Sequence, residues 1–307
     1  MSSASSKRLP ETPATLRVRL RLPASLNRQS PLFATLDSLS RNRLAMVGLA
    51  CLLLMILISI LAPWIAPYSP THINYDEVLM APTWAHPFGT DDLGRDILSR
   101  VIWGGRESLR TGYLAVMIGL GGGIVVGVIS GYLGGKVDAT IQRIVEVFLA
   151  FPSILLLLSI VAALGPGLVT VMIAIGFSSI PAYSRLVRGS VIATKSLDYV
   201  TAAKLIGVKD VWIMVRHILP NIIAPIMIYG TLSLGGAIML TAGLSYIGLG
   251  AQPPSPEWGA MLNYGRQYLQ DGWWMSAFPG LAVFITVLSI NLFGDGLQEA
   301  MNPKTRS

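Results

Sequence analysis

Uncharged, strongly apolar runs recur along the chain at 44–66, 111–135, 147–184, 218–256 and 272–294. They are unbroken rather than alternating, which predicts helices and not the half-polar strands of a membrane barrel. A bilayer core of about 30 Å needs about 20 helical residues to cross it. The runs at 44–66, 111–135 and 272–294 therefore each predict one crossing. The run from 147 to 184 is too long for one and is broken by Gly165, Pro166 and Gly167, which predicts two helices joined by a tight external turn. The run from 218 to 256 predicts a helix over roughly 222–246, because the prolines of GLGAQPPSPEWG cannot continue it. The pattern as a whole predicts an all-α integral membrane protein with six transmembrane helices.

Composition agrees, since 52% hydrophobic residues, 13% charged residues and a mean hydropathy of +0.60 lie outside the range of soluble globular domains. Charge then sets the orientation. With the N-terminus inside, 18 of the 23 lysines and arginines fall on the cytoplasmic side, and only Arg95, Arg100, Arg106, Arg110 and Arg266 fall outside. The positive-inside rule thus predicts that both termini are cytoplasmic. Residues 1–43 are read as a flexible basic cytoplasmic tail, 44–66 as an uncleaved first transmembrane helix and 297–307 as a cytoplasmic tail. The net charge of +7 is explained by this sidedness and does not call for nucleic acid. Cys51 is the single cysteine and is read as a small buried hydrophobe; His72, His86 and His217 have no ligand spacing, so no metal site is expected.

Within the second run, Gly119, Gly123, Gly127, Gly131 and Gly135 recur every four residues. Glycine lowers helix propensity, and in lipid the compensation is close backbone approach between helices. The stripe predicts a packing face, against either another helix of this chain or one of a second subunit. Between the first two spans, residues 67–110 form a predicted external segment. Leu93, Ile97, Leu98, Val101 and Ile102 fall at helical spacing there, which predicts an amphipathic helix lying on the outer membrane surface. Asp91, Asp92, Arg95, Asp96 and Arg100 around it are read as a self-paired, solvated face rather than a cation site.

The longest inside loop runs from 185 to 217, within a five-helix core spanning 111–296. Its RLVRGSVIATKSLDYVTAAKLIGVKDVWIMVRHILP has helical periodicity interrupted at Gly207, which can adopt the left-handed conformation that ends one helix and turns into the next. Val208, Val211, Trp212 and Val215 form an apolar stripe after it, and Ala202 and Ala203 a small-residue face before it. Pro220 is expected in the first turn of the fifth span, where a missing N–H is harmless. From these residues alone the pair of short helices is either a docking surface for another protein or a linker resting on lipid.

This stretch resembles the EAA motif, E-A-A-x3-G-x9-I-x-L-P, of the permease subunits of bacterial ABC importers. Ala202, Ala203, Gly207, Leu219 and Pro220 stand at the motif spacing, whereas Thr201 replaces the usual Glu and His217 the usual Ile. FGTDDLGRDILSR, AFPSILLLLSIVAALGPG, PAYSRLVRG and LSYIGLGAQPPSPEWGAML are similar, in order, to the dipeptide and oligopeptide subgroup, specifically its C-type permease. The resemblance implies a type I ABC importer permease fold in the bacterial inner membrane. It implies translocation of di- or oligopeptides, with Tyr199, Thr201, Ala202, Ala203, Gly207, Leu219 and Pro220 in the ATPase-coupling loop. It also implies a second homologous permease, two ATP-binding subunits and a periplasmic or lipid-anchored binding protein as partners. The binding protein would deliver substrate to the loops at 67–110 and 247–272.

No GxxxxGK[ST] loop is present, so ATP and Mg are expected in partner subunits and no cofactor in this one. GLSYIG at 243–248 does not match GxSxG, and no carboxylate lies in the middle of a span, which argues against a hydrolase and against an ion-coupled carrier. A nickel or metal-chelate importer permease shares the same signature loops and is the alternative within the architecture.

Overall fold

The computed structural model describes residues 37–301, so most of the basic N-terminal tail and the last six residues of the C-terminal one lie outside the described residues. Helices joined by loops make up the described chain, and no strand occurs among the described residues. Helix α1 (Arg43–Ile60) is capped by Asn42, whose side chain accepts from the Ala45 amide at 3.1 Å. It ends just before Pro63, and a short turn at Ala62–Ile65 finishes the predicted first span.

Helix α2 (Ile97–Leu133) is 37 residues long, about 55 Å, and starts at Asp96, whose carboxylate accepts from the Ser99 amide at 2.7 Å. The separate surface helix expected near 93–102 and the second span are thus one rod. Charge at Arg106, Glu107 and Arg110 marks a change of surroundings, not the end of a helix, and no proline interrupts the stretch. Gly104 and Gly105 are tolerated within it because Trp258 and Ser59 pack onto them.

Gly134, at φ 68°, ends α2. Helix α3 (Gly135–Ala150) then meets α4 (Ser153–Leu164) at 89°, with Pro152 at the corner. Twelve residues in α4 rise about 18 Å, too little for a crossing alone. Among the described residues five helices are long and apolar enough to cross, and the bent α3–α4 pair, counted as one broken span, brings the number to six.

After the turn at Gly165–Gly167, helix α5 (Leu168–Lys195) runs ten residues beyond the expected loop boundary at Arg185. Helix α6 (Asp198–Leu205) follows, and then α7, which is continuous from Asp210 to Tyr246. Pro220 stands, as expected, in the first turn of the α-helical stretch Leu219–Tyr246, but that stretch continues without a break from π-helical Ile213–Ile218. The proline's missing N–H is accommodated because Ile213–Ile218 is π-helical, with the Leu219 amide bonded to the Met214 carbonyl. Helices α8 (Trp258–Gly265) and α9 (Trp274–Met301) complete the chain.

Helices α2 and α5 form the most intimate pair, with α7 beside both and α1 against α9. At Gly127, a methyl group would stand 2.6 Å from the Ser184 carbonyl oxygen and 2.7 Å from Val187 Cβ. Gly119, Gly123 and Gly131 likewise face Tyr183 and Val191 of α5, and Gly176 of α5 admits Ile118 in return. The glycine stripe packs within this chain. Gly135 is the exception: it lies past the helix break at φ 54°, with nothing within 4 Å of where its Cβ would be.

Candidate functional site: the coupling surface, the groove and the cap

The predicted coupling residues gather at one end of the bundle. Gly207 has φ 82°, its amide bonds to the Lys204 carbonyl and the Val208 amide to that of Ala203, both at 3.1 Å. These two bonds are the Schellman arrangement, and a residue with a side chain would strain it. Asp198 in the first turn of α6 and Lys204 in its last complement the helix dipole.

The turn separates two faces. Val200, Ala203, Ile213 and Ile218 are buried in the main core, with Val208, Met214 and Leu219 packed against it. Leu205 and Ile206 are 82% and 81% exposed, and Val211, Trp212 and Val215 are more than half exposed beside them. The apolar stripe expected after Gly207 therefore splits: Val208 faces inward and the others outward. Thr201 and Ala202 also face outward. Tyr199 Oη donates to the His217 carbonyl at 3.3 Å, and Asn221 Nδ2 donates to the same oxygen at 2.6 Å. Pro220 is exposed on α7. The replacement at Thr201 thus falls on the outer face, whereas His217 is partly buried, with Nδ1 unpartnered.

Polar contacts tie the surface to the helices behind it. Tyr132 Oη at the end of α2 donates to Asp210 Oδ1 at 2.5 Å, and Lys195 Nζ reaches the Tyr132 carbonyl and lies 5.3 Å over its ring. Arg188 of α5 grips Asp138 of α3 through Nε and Nη2 at 2.7 and 2.6 Å. Ser130 donates to the same carboxylate and accepts from Gln142 at 2.9 Å. Asp138 is readable in the sequence as a boundary residue, but its partner 50 residues on carries no local signal. The same is true of Tyr132 and Asp210, 78 residues apart.

Where α2, α4, α5 and α7 meet in the membrane, a groove of about 350 Å³ opens on the surface of the chain. Its hydroxyls come from Ser153, Ser178, Ser179, Tyr183, Tyr229 and Ser233, with Gly236 also in its lining. Ser178, Ser179 and Ser233 donate to carbonyls one turn back at 2.6 to 2.8 Å, so they need no further donor partner yet keep acceptor capacity. Tyr183 and Tyr229 meet edge to face at 5.2 Å. No charged residue lines the groove.

At the opposite end, residues 67–96 and 247–273 form a cap over α2 and α9. The expected solvated charge cluster is self-paired but buried: Asp91, Arg95, Asp96 and Arg100 are each 6% exposed or less. Asp91 accepts from Arg95 Nε at 2.6 Å and from the Leu93 and Arg95 amides at 2.9 Å. Arg100 donates to the Pro70 carbonyl at 2.8 Å. His86 bridges Asp96 and Glu77 at 2.9 and 3.2 Å. Pairing was legible from alternating signs, while burial depended on chain segments far away that fold over the cluster. Glu257, fully buried, accepts from Ser108 Oγ at 3.0 Å and the Ala260 amide at 2.9 Å, capping α8. Asp92 lies 3.5 Å from the Tyr268 hydroxyl and its charge pushes that phenol above its ordinary range.

The family of binding-protein-dependent transport system inner membrane components matches residues 123–307, and the N-terminal domain of oligopeptide transport permease C matches 30–82. The chain belongs to this permease family. A di/tripeptide transport system permease protein, DppC, of Pseudomonas aeruginosa is 43% identical, over 92% of this chain and 95% of the relative. The dipeptide permease DppC of Alkalihalophilus pseudofirmus is 45% identical over 91% of each chain. A glutathione transport permease, GsiD, of Escherichia coli is 45% identical over 87% of this chain and 88% of its own. A solved chain of the MetNI methionine ABC transporter, facing inward, shares the fold with a TM-score of 0.53 and 21% identity. It covers 67% of this permease and 96% of itself. The permease is thus an inner-membrane transport subunit with an ABC importer fold, not an enzyme.

Proposed function

We propose that this permease forms one wall of the path through which an ATP-driven importer carries di- or oligopeptides, and that the α6–α7 turn is where ATPase subunits engage it. The observation that carries the reading is the exposed Leu205, Ile206, Val211 and Trp212 patch on a buried, hydrogen-bonded underside. Contiguous apolar surface of this kind marks a contact with another protein. ATP and Mg belong to those subunits. A second homologous permease would close the groove from the other side, and a binding protein would deliver substrate at the cap. In this arrangement the α6 end and both termini are cytoplasmic.

The tie from Asp210 to Tyr132, and from there to Lys195, supports the coupling. A pull on the patch would reach α2, α5 and α7, all of which line the groove. Coupling of this sort requires that the partner bind one arrangement of these helices better than the other. The uncharged, hydroxyl-lined groove supports a peptide cargo, because it can meet peptide N–H groups without a fixed charge to trap termini. The three relatives named for di- and tripeptides, dipeptides and glutathione support the same class.

Reconstitution tests the reading. Vesicles with both permeases, the ATPases and the binding protein should accumulate labelled dipeptide only with ATP. Uptake by this permease alone, without ATPases, would overturn it.

A further inference from the structure

Two arginines at the cap end are not used by the cap. Arg95 is paired with Asp91, Arg100 with Asp91 and the Pro70 carbonyl, and Arg266 lies 5.5 Å over Tyr246. Arg106 and Arg110 are exposed on one face of α2, one turn apart, and neither makes an ion pair among the described residues. Glu107, between them in sequence, makes no ion pair with either among the described residues. Arg106 lies 5.8 Å from the Trp103 ring centroid.

These two guanidinium groups rim a groove of about 330 Å³ between α1 and α2. Its floor is Leu52, Ile56 and Ile60 of α1, spaced four residues apart, with Leu109 and Leu234. The furrow runs along the helix axis for about 12 Å alongside the arginines, with Arg106 near its Ile60 end and Arg110 nearer its Leu52 end. Tyr113 lines it, and the exposed Trp64 stands just past the end of α1. An exposed tryptophan past the cap-side end of a span marks the level of lipid headgroups, which puts Arg106 near that level.

We propose that this groove binds an anionic phospholipid of the cap-side leaflet, its phosphate held by Arg106 and Arg110 and an acyl chain lying along Ile60, Ile56 and Leu52. A guanidinium in the membrane is retained when an anion pairs it, and a planar fork suits a phosphate. The apolar floor running beside the charge is what distinguishes an amphiphile from a soluble anion. Basic pockets between transmembrane helices recognise lipid headgroups by this chemistry. The proposal goes beyond the transport reading and does not depend on which molecule is carried.

The test uses the full permease purified with its partner subunits, exchanged into detergent and titrated with phosphatidylglycerol, phosphatidylcholine or inorganic phosphate under native mass spectrometry. The wild type should retain phosphatidylglycerol that phosphatidylcholine and millimolar phosphate do not displace. Arg106→Gln with Arg110→Gln should weaken that retention at least about tenfold, and Ile56→Trp, which fills the furrow and leaves the arginines, should do the same. Arg106→Lys with Arg110→Lys should recover part of it. Unchanged retention in both the glutamine and tryptophan variants would overturn the proposal. So would displacement by inorganic phosphate, which would make the site one for a soluble anion. Efficient cross-linking of Tyr113→Cys to the second permease, in a Cys51→Ala background, would show the groove filled by protein and would equally overturn it.

Discussion

The two ends of the permease solve opposite problems with similar helices. In the cap, charged side chains are buried and satisfied: Asp91 and Arg100 are each 2% exposed, inside segments that close over them. At the α6–α7 turn, large apolar side chains are left uncovered, with Leu205 at 82%. A buried charge cluster paired through Asp91, Arg95 and Arg100 gives a segment one definite shape without a partner, whereas exposed leucine and isoleucine on a firm base remain unfavourable until something covers them. The cap is a finished surface, and the turn is an unfinished one.

The largest effect should come from opening the cap cluster. Asp91→Ala leaves Arg95 and Arg100 buried without their carboxylate, and loss of one member of a buried pair costs about 3–5 kcal/mol. Thermal unfolding of the purified permease should drop accordingly; a midpoint close to wild type would mean that water already reaches the cluster. Next, Gly127→Leu would drive a side chain into Ser184 and Val187 of α5, an overpacking effect of about 1–3 kcal/mol that outweighs its gain in helix propensity. If the same assay shows stabilisation, the α2–α5 contact is looser than its geometry.

Breaking the unfinished surface should look different. Leu205→Asp with Ile206→Asp should leave folding within about 0.5 kcal/mol of wild type. ATPase retained on the purified permease should fall at least about tenfold, equivalent to about 1.4 kcal/mol of binding. Gly207→Pro should also abolish ATPase capture while preserving membrane insertion, because proline cannot take φ 82°. Normal ATPase yield with either variant would place the contact elsewhere. The smallest effect is expected for Tyr132→Phe, which removes one hydrogen bond to Asp210 and about 1 kcal/mol. Its sharper readout is peptide uptake per ATP hydrolysed, which should fall if the tie transmits force, and stay level if it only supports the loop.

Legibility followed the range of the interaction. The glycine period of α2 and the turn at Gly207 were visible because both depend on backbone conformation within a few residues. The continuation of α2 through Arg106 and Arg110 was hidden, because charge is a poor signal of where a helix stops. Pro152 was a readable sign of the 89° corner between α3 and α4, yet it lies inside an apolar run whose hydropathy never changes. The groove hydroxyls come from residues as far apart as Ser178 and Ser233, each bonded back to its own helix and silent in the pattern.

By itself the sequence determined that this chain lives in the membrane as helices, that it turns at Gly165–Gly167, and which short stretch breaks the apolar monotony with a glycine hinge. Those properties follow from transfer of apolar residues into lipid and from local backbone preference, and both act residue by residue. The tertiary structure alone decided which helix the glycines meet, which charges are buried in the cap, and which apolar residues at the turn are left uncovered. Those outcomes depend on contacts between residues distant in the chain, for which neither periodicity nor composition carries a signal.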